Sequence, residues 1–211
     1  MSNCESIELP GVEAGPHQLR ELLRCLIHTI VFNRALGYVR PQDVDSELFD
    51  ITYVKCDDSD IEARVEASIS DFCSTVERRP ADAIQLCLAF YEVRKKAAWF
   101  GSKDERLYWE QWFINVKVVN SDEQQQQGYT SMKHTGASKQ QLKQQAALQR
   151  ALSEVLHAVN EKRDHIPPLS SLTSSCFPFD VMSSGNSKTG FGANIQAVKK
   201  ILQSTPPMML S

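Results

Sequence analysis

Ile84-Gln85-Leu86-Cys87-Leu88-Ala89-Phe90-Tyr91 and, further along, Trp112-Phe113-Ile114-Asn115-Val116-Lys117-Val118-Val119 are the stretches that decide the fold. In each, large apolar residues take every second position, which places them on one face of a strand and their neighbours on the other. Two such strands in succession predict an antiparallel pair. The residues between them, Arg94 to Arg106, read as a loop of about a dozen residues, longer than the two to five that usually join a hairpin. A loop of that length is retained for a function or lacks order.

Working outward, helical spacing takes over. Leu19, Leu22, Leu23, Leu26, Ile27, Ile30 and Val31 recur three and four residues apart between Pro16 and Leu36, with Gly37 just beyond, and predict a core helix. Leu48 to Val54 predicts a strand with Phe49, Ile51 and Tyr53 on one side. Asp57, Asp58 and Ser59 offer helix caps, Ser59 and Glu62 have capping-box spacing, and Ile61, Val65, Ile69, Phe72 and Val76 predict a second helix to about Arg79. Residues 121–139, with four consecutive glutamines at 124–127, are too polar to repay their ordering entropy and read as a linker or insertion. Leu142, Leu148, Leu152, Val155, Leu156 and Val159 predict a third helix, opened by Ser138 and ended before Pro167-Pro168. In the tail, Phe177, Phe179 and Val181 predict a short strand, Ser183 to Lys188 a turn, and Asn194 to Gln203 a helix. The sum is an α+β fold with three helices packed on a mixed or mainly antiparallel sheet.

The chain has 211 residues, 42% of them apolar and 23% charged, with a formal net charge of −3. One core of ordinary density accommodates such a chain without disulfides. The negative charge leaves no global attraction for nucleic acid or anionic lipid, so no nucleic-acid partner is expected. The start of the chain lacks the basic region and apolar run of a signal peptide, and the expectation is a cytosolic or nuclear protein. Its six cysteines are widely spaced, with no Cys-x-x-Cys pair, and read as small buried hydrophobes.

Catalytic signatures are absent. There is no His-Glu-x-x-His helix, no Gly-x-Ser-x-Gly elbow and no Walker-type phosphate loop. The histidines, His17, His28, His134, His157 and His165, are scattered and fit packed or solvated roles better than metal ligation. Asp57, Asp58 and Asp60 lie where a helix begins, so capping accounts for them better than a cation does. Ser187-Lys188-Thr189-Gly190-Phe191-Gly192 has the wrong order for a phosphate loop. No catalytic residue, metal site or cofactor is expected, and the chain is read as a non-enzyme.

One segment stands apart. Arg94-Lys95-Lys96-Ala97-Ala98-Trp99-Phe100-Gly101-Ser102-Lys103-Asp104-Glu105-Arg106 places two adjacent aromatic rings in a charged stretch with no periodic apolar neighbours. Three readings remain open on the residues alone. The rings fold back into the core; they anchor a protein partner, as exposed aromatics do at interface hot spots; or they enter a membrane surface beside basic residues.

Phe90-Tyr91-Glu92-Val93-Arg94-Lys95-Lys96-Ala97-Ala98-Trp99-Phe100, followed by Tyr108-Trp109-Glu110-Gln111-Trp112-Phe113-Ile114-Asn115-Val116-Lys117-Val118, resembles the autophagy-related protein 101 family. Gln42-Asp43-Val44-Asp45 leading into Phe49-Asp50-Ile51-Thr52-Tyr53-Val54, and Leu26-Ile27-His28-Thr29-Ile30, extend the likeness, which is close over about residues 17–120 and looser beyond. The resemblance implies a single HORMA domain over residues 1–211. It implies a non-catalytic adaptor subunit of the autophagy-initiation kinase complex, pairing with and stabilising the HORMA domain of autophagy-related protein 13. It further implies a cytoplasmic protein, recruited to the phagophore assembly site, whose membrane association is indirect. The family's exposed aromatic finger, which recruits downstream autophagy factors, falls by position on Trp99 and Phe100, with Arg94, Lys95 and Lys96 as loop support. The family pattern places one residue between the two aromatics; here they are contiguous.

Overall fold

A computed structural model describes residues 4–78, 84–98, 101–119, 133–168 and 176–183. Their order is β1 (Glu5–Glu8), β2 (Val12–Ala14), α1 (Pro16–Arg34), β3 (Pro41–Asp45), β4 (Thr52–Cys56), α2 (Ser59–Arg78), β5 (Ile84–Ala98), β6 (Gly101–Val118), α3 (Lys133–Glu161) and β7 (Phe179–Ser183). The main sheet runs β1-β6-β5-β7, with β2 also on β6, and β3 and β4 form a separate antiparallel ribbon. β5 is antiparallel to β6 and β7, while β1 and β2 lie parallel to β6. The architecture is α+β, with three helices and a mainly antiparallel sheet.

α1 is the central helix. Pro16 opens it, having no N–H to lose at that position, and the Gly15 N–H donates to the Gln18 side-chain carbonyl at 3.0 Å. Its apolar residues exceed one stripe: Leu22, Leu23, Cys25, Leu26, Ile27 and Ile30 are all sealed from solvent. A helix buried on most sides needs neighbours on most sides, and α1 touches α2, α3, β2 and β4. In α2 the expected stripe Ile61, Val65, Ile69, Phe72 and Val76 is buried as a set. The Asp58 carboxylate caps the helix, accepting from the N–H groups of Asp60 (3.0 Å) and Ile61 (3.1 Å). Glu62, expected to complete a capping box with Ser59, instead pairs with Lys55.

The alternation that predicted β5 and β6 is realised. Leu86, Leu88 and Phe90, with Trp112, Ile114 and Val116, enter the main core, and Cys87, Ala89 and Phe113 form a smaller apolar cluster separate from it. Three expectations need correction. Arg94 to Arg106 is not a loop: the strands continue as a paired ribbon through Arg94↔Glu105 and Lys96↔Lys103 to Ala98↔Gly101, so backbone pairing holds a segment that apolar burial does not. The strand expected at Leu48–Val54 is Thr52–Cys56, entered through a turn at Ser46–Ile51 in which the Ser46 hydroxyl accepts from the Phe49 N–H. β1, β2 and β3 are additional to the sequence reading. Of the polar stretch 121–139, residues 133–139 already belong to α3; of the turn read at 183–188, Ser183 is the last residue of β7; residues 121–132, 184–188 and the helix read at 194–203 lie outside the described residues.

Candidate functional site

The β5–β6 ribbon has an apolar base and a charged extension, and one irregularity separates them. Between Phe90 and Tyr91 the register shifts, so that Phe90 faces Glu110, Tyr91 faces Tyr108, and Trp109 is left as an extra residue on β6. Strict alternation would send Trp109 and Glu110 to opposite faces. The bulge turns Trp109 so that both are buried in the core. Its ring packs edge-on against Phe177 at 4.8 Å between centroids, and lies 5.5 Å from Phe90 and 5.8 Å from His165.

Glu110 carries a buried charge and is matched to it. Arg34, at the last residue of α1, donates through Nε to both carboxylate oxygens at 2.9 Å and through Nη2 at 2.8 Å. The Trp112 indole N–H also donates to Glu110, and the His165 Nε2 lies 2.7 Å from its second oxygen. Burial alone would raise the Glu110 pKa; the hydrogen bonds of His165, Arg34 and Trp112 overcome that and hold it below the ordinary carboxylate value. Arg34 reaches on to the carbonyls of Val159 and Lys162, so this cluster ties α1, β6 and the end of α3 together beneath the bulge.

Beyond the bulge the ribbon leaves the core. Val93, Arg94 and Lys95 on β5, and Asp104, Glu105 and Arg106 on β6, are exposed. Arg94 pairs with Glu92. Arg106 pairs with Asp180 at 2.7 Å and lies over the Tyr91 ring at 4.8 Å, while the Tyr108 hydroxyl donates to the same Asp180 carboxylate at 2.8 Å. β7 thereby braces the foot of the extension. From Tyr91 to Ala98 a strand rises about 24 Å at the usual ~3.4 Å per residue. Of the residues singled out from the sequence, Arg94 and Lys95 stand exposed on this extension, and Lys96 pairs through its backbone with Lys103. Trp99 and Phe100 lie outside the described residues; the chain carries them between Ala98 and Gly101, the last paired positions.

The described geometry is that of a braced arm. Among the described residues no three histidine, cysteine or acidic side chains are grouped to hold a metal ion. Burial pushes the thiols of Cys4, Cys25, Cys87 and Cys176 up to about 12, where they stay protonated. No helix among the described residues is long and apolar enough to cross a membrane.

Residues 11–173 match the family model described as autophagy-related protein 101. The chain belongs to the autophagy-related protein 101 family. It is 40% identical to autophagy-related protein 101 of Arabidopsis thaliana over 217 aligned residues, covering 99% of each chain. Against the Homo sapiens protein of that name the identity is 29% over 131 residues, 56% of this chain and 59% of the other. The Schizosaccharomyces pombe protein is 23% identical over 92% of both. With the family established, the three-helix α+β architecture is the HORMA type that the sequence resemblance implied.

The sequence reading missed the partner of Glu110. Its signal was there in part: an acidic residue between Trp109 and Trp112, and an arginine closing an apolar helix, are charges set in buried surroundings. Nothing in the sequence joins the two, since they stand 76 residues apart.

Proposed function

We propose that the protein is a non-catalytic adaptor of the autophagy-initiation kinase complex, pairing with the HORMA domain of autophagy-related protein 13 and recruiting downstream autophagy factors through Trp99 and Phe100. Membership of the autophagy-related protein 101 family supports the complex. The observation that carries the recruiting role is the paired extension itself: beyond the bulge β5 stays paired with β6 from Tyr91↔Tyr108 to Ala98↔Gly101, and no apolar core requires its last turns of pleat. A partner that engages residues next to a backbone-paired ribbon does not have to order the ribbon itself, which favours an aromatic anchor there. Arg94, Lys95 and Lys96 keep the arm charged and soluble and discourage edge pairing with other chains.

In this reading the protein works in the cytoplasm and reaches the phagophore assembly site through its partners, without direct membrane insertion. Co-purification of the tagged full chain from its native cells, followed by mass spectrometry, tests it. The initiation kinase and its HORMA subunit are expected among the captured proteins. Recovery of neither, or flotation of the purified chain alone with anionic vesicles, contradicts the proposal, the second result favouring a membrane-surface module.

A further inference from the structure

Away from the ribbon, a half-open cleft of about 270 Å³ lies between α1, the β3–β4 ribbon and the start of α2. It is smaller than the roughly 300–1,000 Å³ of pockets that hold drug-sized ligands, and suits one side-chain-sized group. Its wall carries five carboxylates, from Glu21, Asp45, Glu47, Glu62 and Glu66. Against them stand three cations, all committed: Arg24 is clamped to Glu66 at 2.6 and 2.8 Å and to Glu21 at 3.3 Å, Lys55 pairs with Glu62, and Arg20, just outside the cleft, reaches Glu66 at 3.7 Å. Two negative charges remain in excess, those of Asp45, which accepts from the Thr52 hydroxyl at 2.6 Å, and of Glu47, whose carboxylate has no partner among the described residues.

A second feature of the cleft is independent of its charge. His28 lines it, only 3% exposed, stacked on Tyr53 with 6.1 Å between ring centroids, and its buried Nδ1 has no hydrogen-bond partner. A buried polar atom without a partner is costly and is normally satisfied by something. A ring kept uncharged by burial presents an acceptor nitrogen when its other nitrogen holds the proton. An acceptor set among surplus carboxylates calls for a donor with positive charge. A divalent ion does not fit, since no three suitable ligands are grouped there.

We propose that this cleft binds a single guanidinium or ammonium group, with the Glu47 and Asp45 carboxylates taking its charge and His28 Nδ1 accepting one of its hydrogens. The group comes either from an arginine or lysine side chain of a partner polypeptide or from a free small amine; the recognition chemistry is the same. The site stands apart from Trp99 and Phe100 and does not depend on their role.

The test is a titration of the full-length ¹⁵N-labelled protein with ethylguanidinium, with a blocked Ala-Arg-Ala tripeptide and with neutral ethylurea, following the His28 imidazole nitrogens and the amides of Glu47 and Tyr53. The same titrations are made on Asp45→Asn/Glu47→Gln, whose exposed sites leave the Arg24–Glu66 clamp intact. Saturable shifts at His28 Nδ1 with the cations but not with ethylurea, weakened roughly tenfold in the double variant, are expected. Binding of the tripeptide as well assigns the cleft to a partner's side chain, and binding of ethylguanidinium alone assigns it to a small amine. No saturable shift with either cation, an equal response to ethylurea, or no weakening in the variant overturns the proposal.

Discussion

Arg34 and Glu110 form a bidentate ion pair in which Arg34 is 2% and Glu110 0% exposed, joining the end of the central helix to the strand that carries the arm. Taking two charges out of water is expensive, and only the added donors of Trp112 and His165 and the acceptor carbonyls of Val159 and Lys162 make it tolerable. Removing one partner leaves the other charge uncompensated. Arg34→Leu or Glu110→Leu is expected to cost about 3–5 kcal/mol in urea unfolding. The double variant Arg34→Leu/Glu110→Leu should cost less than the two single changes added together, because neither charge is then stranded. Simple additivity in that cycle would show that the pair is not coupled.

His28 predicts an acid limb to stability. Burial pushes its pKa down from 6.5 to about 4, with the Lys55 charge acting in the same direction and Glu66 and Glu62 opposing. Well above pH 6.5 the ring is neutral folded and unfolded, and contributes no pH dependence. As pH falls from about 6.5 toward 4 the unfolded chain takes up a proton that the folded chain refuses, so stability declines, by about 3 kcal/mol in all. Urea midpoints at pH 7, 5.5 and 4 measure this decline. His28→Leu should flatten that part of the profile; an unchanged slope would assign it to other groups.

The cap of α2 gives a smaller and cleaner effect. Asp58 satisfies two N–H groups at the exposed start of the helix, and Asp58→Ala is expected to lower stability by about 1 kcal/mol. Asp58→Ser should recover most of that loss. If both variants unfold at the wild-type urea midpoint, the cap contributes nothing.

On the arm, charge matters little to folding. Arg106 is exposed, and its pairing with Asp180 is screened by water, so Arg106→Ala should cost under about 1 kcal/mol. Arg94→Ala/Lys95→Ala should lie within about 0.5 kcal/mol of wild type. A loss of several kcal/mol in either variant would mean that the extension is integral to the core, contrary to the separation at the Phe90/Tyr91 bulge.

The helices and the base of β5–β6 were legible because their buried faces are long enough to repeat: seven apolar positions mark α1 and five mark α2. The short parallel strands were not, since Ile7 and Leu9, or Val12 and Ala14, give too few repeats to declare a period, and their pairing with β6 joins segments about a hundred residues apart. β3 escaped for another reason: Pro41-Gln42-Asp43-Val44-Asp45 is largely exposed and owes its strand form to pairing with β4. The arm was misread as a loop on similar grounds. An extension exposed beyond its base carries no apolar alternation, and only the register Arg94↔Glu105 reveals it. Trp99 and Phe100 stood out for the same lack of apolar neighbours.

The central claim is that Trp99 and Phe100, carried at the end of a paired arm, capture a partner while the core beneath stays independent of them. Pull-down of the initiation complex and of downstream autophagy factors by wild type and by Trp99→Ala/Phe100→Ala, with urea unfolding of both, measures it most directly. The account predicts that the double variant unfolds at the wild-type midpoint and still pairs with the second HORMA domain, while capture of the downstream factors falls at least tenfold, the scale of a lost aromatic hot spot of about 2 kcal/mol. Undiminished capture, or a variant that no longer folds, would contradict it.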